Sequence, residues 1–286
     1  MALTDKYINP LTDFGFKKLF GEEVNKELLI DFLNQLLPEK HKIKDLTYQQ
    51  NEHLAGTEYD RKAIFDLHCE SEKGEKFIVE VQRAKQNYFK DRTVYYASFP
   101  IQQQAIKGSD WDFKLAAVYT IGILDFIFEE DKEDKDYINT VQLKNQKNKV
   151  FYDKLTFIYI ELPKFKKTVD ELESKIEKWL YLFRYLAKLQ DRPKALQEKV
   201  FQKLFAAAEI AKYSKAEREL YEESLKYYRD LKNVVDTAFE EGEVKGKIEG
   251  KIEGKIEIAK KLKLMGLPIE QIQEATGLSK EEIEKL

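Results

Sequence analysis

The chain has 286 residues, of which 43% are apolar, 13% aromatic and 35% charged, a balance that excludes a disordered chain and leaves room for a large core in one or two domains. Its 49 Lys and Arg nearly cancel 52 Asp and Glu, for a formal net charge of −3. That excludes a histone-like or tail-driven nucleic-acid binder and requires any such contact to come from a local basic surface.

A single cysteine, Cys69, excludes an intramolecular disulfide and a cysteine zinc site, and three histidines, His41, His53 and His68, argue against a multi-histidine metal centre. Met1 to Pro10 carries neither an apolar signal core nor an Arg-rich amphipathic pattern, and no apolar run approaches the roughly 18 residues of a spanning helix. The expectation is a soluble, cytoplasmic protein with no membrane contact.

From Asp13 to Leu37 apolar residues recur at helical spacing (Phe16, Leu19 and Phe20, then Leu28, Leu29, Phe32, Leu33 and Leu36), and Pro38 closes the stretch. Three strands follow at Lys42–Gln50, Lys62–Ser71 and Lys76–Arg83, arranged as a meander. Ala84 to Ile106 is helical in pattern, with Pro100 expected to end or kink it. Phe113–Ile121 and Phe126–Glu129 predict a central buried strand and its extension, and Asp131–Lys135 a charged loop. Strands are expected at Ile138–Leu143 and Leu155–Glu161, and Pro163 marks a boundary.

Beyond Pro163 the pattern is helical: Glu171–Leu189, with Leu172, Ile176, Trp179, Leu180, Phe183 and Leu186 on one face, then Lys194–Tyr213 and Lys215–Val235. The unit Gly246-Lys247-Ile248-Glu249 repeats at Gly250 and Gly254. As a helix it winds Gly and Ile stripes around the axis, where close approach would pair two chains; as a strand it satisfies period two as well, and the helical flanks favour the helix. The last segment breaks at Gly266-Leu267-Pro268 and Thr276-Gly277-Leu278, with Ser279 and Glu282 forming a capping box. Its Glu281-Glu282-Ile283-Glu284 face is a poor surface for phosphates, so a packing or dimer-forming hairpin is preferred to a DNA-reading helix-turn-helix.

The chemistry concentrates between Ala63 and Gln82. Ile64, Asp66, His68 and Glu70 share one face of their strand; Ile78, Glu80 and Gln82 share one face of the next. If Glu72-Lys73-Gly74 is a three-residue loop with Gly74 left-handed, residues whose numbers sum to 146 face each other, which sets Asp66 opposite Glu80. Opposed side chains lie about 4.5–5.5 Å apart at Cβ, close enough for two carboxylates to share a divalent cation such as Mg²⁺ or Mn²⁺. A solvated face with alternating charges satisfies the same spacing.

An Asp, a hairpin, then Glu-x-Gln ending an apolar strand resembles the PD-(D/E)XK nuclease core. Asp13-Phe14-Gly15-Phe16-Lys17-Lys18-Leu19-Phe20-Gly21, Leu33-Asn34, Val79-Glu80-Val81-Gln82, Tyr88-Phe89-Lys90-Asp91-Arg92, Tyr95-Tyr96 and Glu161-Leu162-Pro163-Lys164-Phe165 extend the resemblance to the Rpn-type recombination-promoting nucleases and transposase-like proteins, over about Asp13 to Tyr185. The resemblance implies an α/β restriction-endonuclease-like core with a mixed central sheet at 1–165, a helical region at 166–238, and a repeat helix with a C-terminal hairpin at 239–286.

By the same resemblance, the activity is Mg²⁺- or Mn²⁺-dependent hydrolysis of DNA phosphodiesters, in recombination or mobile elements. Asp66 and Glu80 become the catalytic metal ligands, with the Val81 carbonyl as a third, and Gln82 takes the place of the superfamily Lys. Asp13, Glu23 and Glu27 are candidates for a further acid, although Asp13 also suits a helix cap. Lys85, Lys90 and Arg92 are the phosphate contacts expected on DNA, and Tyr88 and Phe89 are assigned to packing. A homodimer through the helical C-terminal half suits double-strand cleavage. The alternative is a degenerate nuclease core serving as a protein- or DNA-binding interaction module, with defence among its roles.

Overall fold

The structure, a computed structural model, describes residues 5–49, 52–53, 63–105 and 112–286. Its chain divides into two compact units, one ending at Leu231 and the other running from Lys232 to Leu286.

In the first unit the opening helical stretch is two helices. Thr12, not Asp13, caps α1 (Asp13–Phe20), its Oγ1 accepting the Gly15 N–H at 3.0 Å. A Cβ on Gly15 would lie 2.1 Å from the Asn9 carbonyl oxygen, so only glycine fits there. The helix stops at Gly21, a 3₁₀ turn follows, and α2 (Lys26–Leu36) resumes. Phe16, Leu19, Phe20, Leu28, Leu29, Phe32 and Leu33 are the buried apolar side chains of these helices.

Strands β1 (Leu46–Tyr48), β4 (Leu67–Ser71), β5 (Lys76–Gln82), β6 (Val118–Leu124), β7 (Ile138–Lys144) and β8 (Val150–Glu161) form one mixed sheet in the order β1-β4-β5-β6-β8-β7. Its first three strands are the expected antiparallel meander, β5, β6 and β8 run parallel, and β7 returns antiparallel on the far edge. The strand expected at Lys62–Ser71 is broken: β3 (Ala63–Ile64) pairs with β2 (Glu52–His53) in a separate ribbon, and β4 starts only at Leu67. Gln50, Lys62 and Ile106, at the ends of expected elements, lie outside the described residues.

One face of the sheet, with Leu67, Cys69, Phe77, Val79, Ile121 and Ile158, packs in the main core with α1, α2, α4 (Lys175–Tyr185) and α5 (Lys199–Ala208). Phe20 stacks on Phe183 at 5.4 Å, and Trp179 meets Phe32 edge-on at 5.8 Å. The other face lies under α3 (Phe89–Gln103), where Phe89 and Ala97 join Val118, Leu124, Phe128 and Tyr159. Parallel strands covered on both sides read as unbroken apolar runs, which is why β6 is buried throughout.

Other elements differ from the sequence pattern in extent. The helix expected from Ala84 begins at Phe89, after Tyr88 at φ 62°, and continues three residues past Pro100. The central strand is Val118–Leu124 and stops there: residues 126–128 are irregular and a 3₁₀ turn covers Glu129–Asp131. The sequence divides the chain at 165/166 and 238/239. Packing instead joins α4 and α5 to the core of the sheet, because their Trp179, Phe183, Phe201 and Leu204 are buried within it.

Helix α6 (Lys215–Leu264) includes the Gly-Lys-Ile-Glu repeat, so the strand alternative for the repeat fails. In the second unit α7 (Ile269–Thr276) ends at Gly277 with φ 70°, and Ser279 caps α8 (Lys280–Glu284) in the expected capping box. Ala259, Ile272, Leu278 and Ile283 form the small core of this unit. The α/β core and the helical C-terminal half are thus both present. No helix among the described residues is long and apolar enough to cross a membrane.

Candidate active site

The site is built by the β4–β5 hairpin. Gly74 at φ 86° closes a Glu72-Lys73-Gly74 loop, the Ser71 N–H donates to the Glu75 carbonyl at 2.9 Å, and Leu67 pairs with Val79 and Cys69 with Phe77. Partners sum to 146, so turn chemistry alone carries the register. Asp66 lies one residue beyond the end of β4, yet it stays opposite Glu80. The Asp66 N–H donates to Glu80 Oε1 at 3.2 Å, and the Val81 N–H donates to Asp66 Oδ2 at 2.7 Å. Each carboxylate is held by a backbone N–H of the opposite segment.

This face is not solvated. Glu80 is 7% exposed and Gln82 8%, because α3 covers them. Burial pushes the Glu80 carboxyl up to about 8; the neighbouring Asp66 charge adds to the shift, while the Asp66 N–H, Arg92 and Lys17 oppose it. Asp66 is also raised by burial, against the Val81 N–H, Arg83 and Lys17, and Asp13 raises it further. A buried carboxylate and a half-buried one that repel each other form a donor set that a divalent cation relieves. Among the described residues no cluster of three or more His, Cys, Asp or Glu is poised to hold a metal ion.

The three candidates for a further acid differ. Asp13 pairs with Lys17 at 2.9 Å and its charge bears on Asp66, whereas Glu23 pairs with Lys26 and Glu27 with Lys203. The expected basic patch also divides. Lys85 and Lys90 face outward and pair with Glu129 and Glu130, Lys90 lying over the Phe128 ring as well. Arg92 turns inward, its Nη2 donating to Gln82 Oε1 and its Nη1 to Gln86 Oε1. Gln82 Nε2 donates to the Ala84 carbonyl at 2.8 Å. Phe89 packs as expected, but Tyr88 is 80% exposed, and His68 is buried against Phe65.

Sequence reasoning missed a cleft that borders Asp13, Lys17 and Arg83, whose charges bear on Asp66. The cleft, of about 630 Å³, is bounded by Leu220, Ser224 and Tyr227 of α6. The helix is anchored there by Tyr221 Oη, which accepts the Asn9 N–H at 2.8 Å, and by Ser224 Oγ, which accepts the Phe14 N–H at 3.1 Å. The signal was present: Tyr221, Leu225 and Tyr228 recur at helical spacing as the apolar edge of a polar helix.

No curated protein and no solved structure matches this chain. The sequence profile of the PD-(D/E)XK nuclease family transposases matches residues 10–238, which spans the sheet, the hairpin acids and the α6 wall, and the chain belongs to that family.

Proposed function

We propose that this protein is a metal-dependent DNA endonuclease that adds water across phosphodiester bonds, associated with recombination or mobile elements. The observation that carries the reading is the opposed pair at the end of the hairpin, half-buried Asp66 and buried Glu80, each held by a backbone N–H of the other segment. A core that had lost its chemistry has no use for a buried carboxylate set against a second, half-buried one, which is costly unless a cation or hydrogen bonds compensate.

Asp66, Glu80 and the Val81 carbonyl would hold Mg²⁺ or Mn²⁺, with Asp13 the acid best placed to add to them. Such a cation supplies Lewis acidity to water and to the scissile phosphate. The chain's own contribution is orientation. Backbone N–H groups fix both carboxylates, and Gln82, which lacks the titratable amine of a Lys, acts only through hydrogen bonds. Lys85 and Lys90, paired at the surface with carboxylates that phosphate can displace, would hold DNA nonspecifically. A homodimer through the helical C-terminal half would present two sites to the two strands.

The test is cleavage of supercoiled plasmid with Mg²⁺, Mn²⁺, Ca²⁺ or EDTA, comparing the native chain with Asp66→Ala and Glu80→Ala. Metal-dependent nicking or linearisation that both variants lose is the expected result. Equal activity in all three refutes the assignment of the site, and no activity in any transfers the weight to an interaction module.

A further inference from the structure

We propose that Arg92 is the cationic catalytic residue of this centre and that Gln82 is the residue that positions it; the proposal rests on the nuclease reading above. The second position after Glu80 carries an amide, Gln82, so the site's own strand β5 places no positive charge there. The charge is supplied by the helix that covers this face, α3. Phe89, Arg92, Thr93 and Tyr96 fall on one face of α3 at three- and four-residue spacing. That face is fixed against the sheet by buried Phe89 and by the hydrogen bond of 2.7 Å between Thr93 Oγ1 and Tyr159 Oη.

Arg92 therefore has a defined place. Its guanidinium lies 5.1 Å from the Phe89 ring centre and 5.7 Å from that of Tyr96. One Nη donates to the Gln82 side chain, the other to Gln86, and its Nε is buried without a hydrogen-bond partner among the described residues. Gln82 is itself clamped, because its amide nitrogen donates to the Ala84 carbonyl. With the nitrogen committed, its carbonyl oxygen is left to accept, and a cation is what it receives. The Arg92 charge also bears on Glu80, two residues before Gln82 on the same face of β5.

Guanidinium suits this place better than a surface clamp. It keeps its proton at every physiological pH, so it cannot accept one from water, but it presents several donors in a plane to the non-bridging oxygens of a phosphate. Its aromatic and amide neighbours hold it before substrate arrives, which is the condition under which a charge favours the transition state over the ground state. Hydrolysis then divides its labour. The water oxygen bonds to phosphorus as the P–O bond to the leaving strand breaks; one proton of the water goes to solvent and the departing oxygen takes up one from solvent. The carboxylates would hold the cation, and Arg92 meets the charge that builds on the non-bridging oxygens.

The test compares the full-length native chain with Arg92→Gln, Arg92→Lys, and the exchange Gln82→Lys with Arg92→Gln. Plasmid nicking at saturating enzyme gives the rate, fluorescence anisotropy in Ca²⁺ the DNA affinity, calorimetry the Mn²⁺ affinity, and melting temperature reports folding. The expected result for Arg92→Gln is a rate loss of about 10²–10³-fold with DNA affinity changed less than about threefold. Arg92→Lys should retain part of the rate, and the exchange variant should recover about tenfold or more over Arg92→Gln.

Weakened DNA affinity at an unchanged saturating rate would make Arg92 a surface clamp and overturn the proposal, as would an exchange variant no faster than Arg92→Gln. If the native chain nicks no DNA, the nuclease reading falls by itself. The placement of the charge is then read from Mn²⁺, which Arg92→Gln should bind several-fold tighter and Arg92→Lys with native affinity; identical affinity in all variants overturns it too.

Discussion

Replacing Glu80 by Gln in the metal-free protein should remove most of the dependence of its stability on pH between 5 and 9. The folded carboxyl is raised from 4.5 to about 8, so in that interval the native chain binds more protons than the unfolded chain. Stability is then complete below about pH 4.5 and falls as pH rises through the folded value. At 1.36 kcal/mol per unit, the cost at the alkaline limit is on the order of 5 kcal/mol. Gln is nearly isosteric, its Oε1 still accepts the Asp66 N–H, and it carries no charge to repel Asp66. Urea denaturation in EDTA across that pH range measures the effect directly. The native chain should lose several kcal/mol by pH 9 and Glu80→Gln about 1 kcal/mol or less, with excess Mn²⁺ restoring the native chain alone. Parallel stability curves for the two proteins would refute the argument that burial and a neighbouring carboxylate dominate this group.

Glu161→Ala should destabilise by about 3–5 kcal/mol in chemical denaturation, because the fully buried carboxylate accepts from the Phe128 N–H, from Asn139 and from Lys164, whose side chain is itself only 5% exposed; the pair is structural, so the metal affinity of the site should not change. Gly74→Ala should cost about 1–2 kcal/mol, read as a lower melting temperature, since its nearest neighbours lie 3.8 and 3.9 Å from a built Cβ and the left-handed backbone is the whole of the strain. Ala at Gly246, Gly250 and Gly254 meets nothing within 4 Å in the single chain and should stabilise the helix by about 1 kcal/mol per site. If the proposed dimer forms by close approach along that stripe, the same substitutions should shift light-scattering mass towards the monomer; an unaltered dimer would remove the stripe from the interface.

The opposition of the two acids was legible in the sequence and the placement of Arg92 beside Gln82 was not, and the difference is one of range. Opposition of Asp66 and Glu80 is decided within fifteen residues by the glycine of a three-residue loop and by side-chain alternation on the two strands. That the strand breaks at Asp66 was not legible, because the break reflects the pairing of β3 with β2, a choice the alternation pattern does not encode. Thr12 displaced Asp13 as the cap because only its oxygen reaches the Gly15 N–H. In the sequence Arg92 groups with Lys85 and Lys90 as one of three phosphate contacts on DNA, and nothing local distinguishes it from them. What separates them is the rotation of α3, set by Phe89, Thr93 and Ala97 against β6 and β8. A helix turned by one residue would carry Asp91 or Thr93 towards Gln82 instead. On the proposed assignment the charge of this centre depends on tertiary docking more than on motif, and a glutamine in the place of a lysine would be compatible with catalysis wherever the packing of a neighbouring helix returns a cation to the same amide.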